Sequence, residues 1–144
     1  MTVRLSGRRG LPKVDRARLR RRAGAILRAL DRGDAELSVT LVDDSTMRVL
    51  NARYRGIDAP TDVLSFSLLE GDHAERRGGL LGDVVVSLET ALRQARRGRR
   101  SLDDEALRLL IHGVLHLVGH DHERDDEARL MRAEERRIRR ELSS

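Results

Sequence analysis

At 144 residues the chain has the length of one domain, and a domain near this size buries roughly 70% of the surface its unfolded chain would expose. Apolar residues make up 39% and charged residues 37%, which leaves enough Leu, Val and Ile for a packed interior and excludes a disordered chain. The formal net charge of +5 is carried almost wholly by arginine, since Lys13 is the only lysine among 29 basic residues, and the lack of cysteine excludes disulfides and thiolate metal sites.

The N-terminal segment, Met1 to Gly10, lacks the apolar stretch of a signal peptide, and no run approaches the ~18 apolar residues of a membrane span. A cytoplasmic protein with no membrane partner is expected. No internal repeat or linker divides the sequence, so residues 1–144 read as a single domain. From Val14 to Leu30, the residues Val14, Leu19, Ala23, Ile26, Leu27 and Leu30 recur at near-helical spacing with arginines between them, and Gly33 follows the end. That pattern predicts an amphipathic helix. Leu37, Val39 and Leu41 alternate within a strand over Glu36 to Val42, after which Asp43 or Asp44 can cap a helix running toward Tyr54. Gly56 to Pro60 reads as a loop.

Asp62 to Leu68 and Gly82 to Leu88 are apolar or β-branched runs bounded by turn residues, and the second is apolar enough to be a buried central strand. The stretch between them, Glu70 to Gly79, is charged and Gly-containing and predicts an exposed, mobile connection. Ser87 can cap a helix ending near Gly98. Ser101 and Asp104 form a capping pattern ahead of a long apolar helix that Gly119 should end. A last amphipathic helix carries Met131, Ile138 and Leu142 on one face. Strands mixed with a larger number of helices predict an α+β fold, a sheet packed against several helices.

Guanidinium groups bind phosphate as bidentate forks, and arginines cluster at 20–22, 96–100 and 136–140. Taken singly, each cluster reads as a solvated helix face. Aromatic residues are limited to Tyr54 and Phe66, which argues against recognition of bases on stacked aromatic platforms.

The stretch that carries chemistry is Ile111 to His122, IHGVLHLVGHDH. His112 and His116 are four residues apart on a predicted helix and so share one face. A glycine three residues after the second lets the chain turn back, and His122 arrives three residues later as a third ligand. This is the metzincin frame without its glutamate, because Gly113 stands where HExxH places the general base. Four of the five histidines lie within these residues, and His73, in the charged connection, reads as a surface residue. Three neutral imidazoles hold a divalent metal and leave a tetrahedral position open; zinc is favoured by its usual geometry, though nitrogen ligands also suit Ni, Cu or Fe.

Three blocks together carry a resemblance: Asn51 to Phe66 (NARYRGIDAPTDVLSF), Leu81 to Ser87 (LGDVVVS) and His112 to His122 (HGVLHLVGHDH). In order and spacing the chain resembles the YbeY endoribonucleases from about Leu37 onward. The resemblance implies a single-strand-specific, metal-dependent endoribonuclease acting in ribosomal RNA maturation and ribosome quality control, with rRNA and ribosomal subunits as partners. It implies one zinc per chain on His112, His116 and His122, a functional arginine at Arg55, and a small mixed sheet packed against helices. The chain departs from the family at His120, where a tyrosine is common. Asp121 is placed to orient a metal-bound imidazole or to stabilise the turn. Two rival readings are a metallopeptidase-like hydrolase, against which Gly113 counts, and a non-catalytic rRNA-binding assembly factor with structural zinc, against which the open three-histidine site counts.

Overall fold

The computed structural model describes residues 2–67 and 80–143. The elements run β1 (Thr2–Gly7), α1 (Arg16–Ala29), β2 (Glu36–Val42), α2 (Asp44–Arg55), β3 (Val63–Ser67), β4 (Leu80–Ser87), α3 (Leu88–Arg97), α4 (Leu102–Leu117) and α5 (Asp125–Ser143). One four-stranded sheet has the order β1-β2-β4-β3, with β3 antiparallel to β4 and the other two pairs parallel. The α+β class and the small mixed sheet are as expected. The connection expected over Glu70 to Gly79, including His73, lies outside the described residues.

β1 has no counterpart among the predicted elements. It is an edge strand whose apolar side chains, Val3 and Leu5, are only half-buried, so its alternation is two residues deep. Backbone pairing to β2 holds it, together with the Arg16 guanidinium of α1, which donates to the carbonyls of Gly7 (2.7 Å) and Arg8 (2.8 Å). Long-range contacts of this kind leave no periodicity to read.

The helices begin where polar side chains can take up their free N–H groups. Asp15, Asp43, Ser87 and Ser101 each cap a helix, accepting from the backbone N–H of Arg18, Thr46, Thr90 and Asp104. Asp44, the alternative cap for α2, instead accepts from the hydroxyls of Ser87 (2.7 Å) and Thr90 (2.6 Å) and so ties α2 to α3. Ser87 serves as cap and donor at once, which is why β4 stops there and Leu88 begins a helix.

The pleat divides the core. Leu37, Val39 and Leu41 of β2 and Val84 and Val86 of β4 join the larger cluster, with Leu27 of α1, Leu110 and Val114 of α4, and Met131 and Ile138 of α5. Val85 and Leu64 point to the opposite face and pack with Met47 of α2. β4 is therefore covered on both sides, as its apolar run predicts. Among the described residues no helix is long and apolar enough to cross a membrane.

α4 sits at the centre of the larger cluster. Leu109, Leu110, Ile111, Val114, Leu115 and Leu117 are all at most 3% exposed, each worth about 1.5–3 kcal/mol relative to an exposed side chain. One stripe escapes this apolar surround: Glu105, Arg108, His112 and His116, at offsets of three and four residues. Glu105 is fully buried and is held ionised against its burial by Arg108 (2.5 Å) and Arg100 (3.4 Å). The histidines thus stand on the most firmly packed helix of the fold.

Candidate metal centre

His112 and His116 bring their Nε2 atoms to 3.2 Å from each other, and both ring centroids lie within 5.6 Å of that of His122. One ligand nitrogen from each of the three lies within 4.8 Å of the others. Two imidazole nitrogens bound tetrahedrally to one zinc at ~2.0–2.1 Å would be about 3.3 Å apart, so the α4 pair is already at ligand spacing. The donor set of three imidazoles fits a divalent transition metal. His116 supports this reading electrostatically: burial, then the neighbouring His112 and His122 rings, hold its pKa below the ordinary imidazole value and keep the ring neutral.

The turn after α4 follows from one residue. Gly119 has φ +101°, its N–H donates to the His116 carbonyl (3.1 Å), and the His120 N–H donates to the Leu115 carbonyl (3.0 Å). This is a Schellman ending, which reverses the chain and satisfies two terminal carbonyls. It ties the His120 backbone to the end of α4, whereas His122, two residues on, swings over the α4 pair. Among the described residues the three-histidine group holds His122 and not His120. Asp121 accepts from the His122 N–H (2.7 Å), the turn-stabilising option of the two its sequence position allows.

The carboxylate that meets a cluster histidine comes from α5: Glu135 Oε1 lies 2.9 Å from His112 Nδ1. Desolvation raises the Glu135 pKa, but the hydrogen bond from His112 and the nearby Arg139 and Arg108 guanidinium groups together outweigh it and leave the group below the ordinary value. Sequence reasoning passed over this residue. A signal exists, because Glu135 is four residues after Met131 and three before Ile138, and so an acid stands on the apolar face of its helix.

Gly113 shows why the glutamate of the HExxH frame is missing. A Cβ there would lie 2.7 Å from Val84 Cγ1, 3.1 Å from Ser65 Oγ and 3.2 Å from Val63 Cγ2, and the Ser65 hydroxyl donates to the Gly113 carbonyl (2.8 Å). The position faces the sheet at closest approach, where no side chain fits. Gly113→Ala is expected to lower stability by about 1–3 kcal/mol from overpacking, more than the ~1 kcal/mol that alanine's helix propensity returns. A fall in thermal midpoint of a few degrees checks this, and a rise would show that α4 can move off the sheet.

The three histidines open onto a cavity of about 600 Å³ whose lining also includes Arg55, Thr61, Asp62 and Ser65. Arg55 is exposed in the last turn of α2, where Gly56 at φ +71° ends the helix. Arg48, Arg93 and Arg108 each pair with a carboxylate, but Arg55 has no ion pair or side-chain hydrogen bond among the described residues. Asp62 is occupied, accepting from the Val63 N–H (2.7 Å) and Gln94 (3.2 Å). Of the arginine clusters, Arg100 is drawn to Glu105 and Arg137 to Glu134 and Glu141, while Arg20, Arg21, Arg96 and Arg97 lie exposed on helix faces.

An α+β sheet-and-helix fold carries a three-histidine group that could hold a metal, and the cavity it lines is also lined by an arginine without an ion pair among the described residues; together these define a class of protein with the elements of a metal site. The profile of the Endoribonuclease YbeY family matches residues 9–143. The Endoribonuclease YbeY of an Anaeromyxobacter species is 51% identical over 140 residues, covering 97% of this chain and 71% of that relative. The one from Pelotomaculum thermopropionicum is 45% identical, covering 96% of this chain and 95% of the relative. The fold also matches a Thermotoga maritima protein solved in solution, with a TM-score of 0.64 and 29% identity over 97% of this chain and 88% of the other. The chain belongs to the YbeY endoribonuclease family.

Proposed function

We propose that residues 1–144 form one metal-dependent endoribonuclease domain that cuts single-stranded RNA, with one zinc ion on His112, His116 and His122 and with Arg55 acting on the phosphate. The observation that carries this reading is the shared cavity, lined both by the Arg55 guanidinium, which has no ion pair among the described residues, and by three clustered imidazoles, of which His116 is held neutral by burial and by its neighbours. When bound, the metal supplies Lewis-acid polarisation at a phosphoryl oxygen and acidifies water. Arg55 binds the phosphate as a fork and opposes the charge that grows on it as the scissile bond breaks. The Ser65 hydroxyl, by holding the Gly113 carbonyl, keeps α4 and its histidines at a fixed height beside β3. Ribosomal RNA maturation and ribosome quality control in the cytoplasm, with ribosomal subunits as partners, are the setting that family membership supports.

The test is cleavage of single-stranded RNA, duplex RNA and casein by metal-stripped and zinc-restored protein. Cleavage of the single strand alone, lost with the metal and regained with zinc, is the expected result. Turnover of casein would favour a peptidase, and RNA binding without cleavage would favour a non-catalytic assembly factor. Binding itself should be steeply salt-dependent and weakly sequence-dependent, with log K falling by about 0.7 per phosphate contact for each tenfold rise in salt. A flat salt profile would mean that the exposed arginines take no part.

A further inference from the structure

We infer that Glu135 is a positioning residue of the metal site: from α5 it fixes the tautomer and orientation of His112, so that the His112 Nε2 lone pair faces His116 and His122. The inference rests on the zinc reading above and adds to it a group that contacts no metal. The geometry carries it. Glu135 Oε1 lies 2.9 Å from His112 Nδ1, while His112 Nε2 lies 3.2 Å from His116 Nε2. A carboxylate can only accept, so Nδ1 must carry a proton, and in the neutral ring that binds a metal Nε2 is left with its lone pair on the side where the three rings converge. Without that acceptor a neutral imidazole divides its proton between the two nitrogens, and the population with Nε2–H cannot bind a metal there.

The carboxylate is held for this task. Met131 and Ile138, one turn before and after it, are 2% and 0% exposed in the main core, which fixes the face that Glu135 presents. Arg108 of α4 and Arg139 of α5 add favourable charge from the two elements that flank it. Asp121, one of the two acids that flank His122 in sequence, is occupied by the His122 N–H. A simple helix clasp would explain Glu135 less well, because α5 has separate anchors: Met131, Ile138 and the Arg137 guanidinium, which donates to the Ala29 carbonyl of α1 (2.9 Å). Removing the carboxylate should therefore leave the fold in place and disturb one imidazole.

The experiment compares wild type, Glu135→Ala and Glu135→Gln by three measurements. Long-range proton–nitrogen correlation spectra of the zinc-free proteins report the His112 tautomer, chelator competition reports zinc affinity, and thermal unfolding without zinc reports stability. Wild-type His112 is expected as the Nδ1–H tautomer. Glu135→Ala should mix the tautomers and weaken zinc binding 10–100-fold, with little change in the zinc-free midpoint. Glu135→Gln, whose amide oxygen still accepts, should restore the tautomer and most of the affinity. An Nε2–H tautomer in the wild type, or zinc affinity in Glu135→Ala within twofold of wild type, would overturn the inference. If the wild type binds no zinc, the metal reading fails by itself, and the tautomer difference between wild type and Glu135→Ala still decides the role of the carboxylate. Should Glu135→Ala not fold, the wild-type and Glu135→Gln spectra decide it.

Discussion

His122→Ala is expected to lose most of its bound zinc and, with it, RNA cleavage, whereas His120→Tyr keeps both. The two histidines are neighbours but one, and both border the cavity, yet the turn treats them differently. The His120 N–H is spent closing the Schellman ending on Leu115, while His122 lies past the reversal with its ring stacked at 28° to that of His112. His116→Ala should be at least as damaging, because it removes half of the pair already at ligand spacing. Elemental analysis of purified variants reads the outcome. Stoichiometric zinc in His122→Ala together with its loss in His120→Tyr would exchange their roles. Acid should mimic the deletion, since protons compete with metal for each imidazole. The sign follows from His116, whose folded pKa lies below the ordinary value of about 6.5. Above pH 6.5 the neutral ring costs the folded state nothing, and as pH falls below it the folded state is penalised until the ring charges.

Arg55→Ala is expected to cut single-turnover RNA cleavage by about 10²–10³-fold while zinc content and folding stay unchanged. The independence follows from the structure: the side chain is exposed, makes no ion pair among the described residues and belongs to α2, which is capped by Asp43 at one end and Gly56 at the other without its help. Arg55→Lys keeps the charge but loses the fork and should recover only part of the rate. Unchanged cleavage in Arg55→Ala would remove the residue from the reaction and leave the metal assignment standing.

The parts of the site that were legible in the sequence are those set by local spacing. His112 and His116 announce themselves by interrupting an apolar helix at an interval of four, and Gly119 announces the turn that returns His122. Arg55 is one arginine among many in composition, and only the surrounding block of residues singled it out. Glu135 was missed because its contact spans 23 residues and depends on how α5 lies across α4: the spacing from Met131 and Ile138 marks an acid on the apolar face, but its partner is a matter of tertiary packing. β1 was missed for a related reason: an edge strand exposed on alternate residues needs only two apolar side chains, and its hydrogen-bond partner is some thirty residues away. Strands and helices with a buried face, such as β2 and β4, were predicted within a residue or two of their observed limits.

The bare backbone at Gly113 also bears on how the centre could vary. Because the helix rests there on Val84 and Val63, the elevation of His112 and His116 above the sheet is set by the girth of two valines that offer a metal no ligand atom. Exchanging either for isoleucine would act as a shim, lifting one edge of α4 and spreading the wall of histidines from Arg55. The reach between imidazole and guanidinium, and so the size of anion that can bridge them, is in this way adjustable from beneath the histidines without altering them or Arg55.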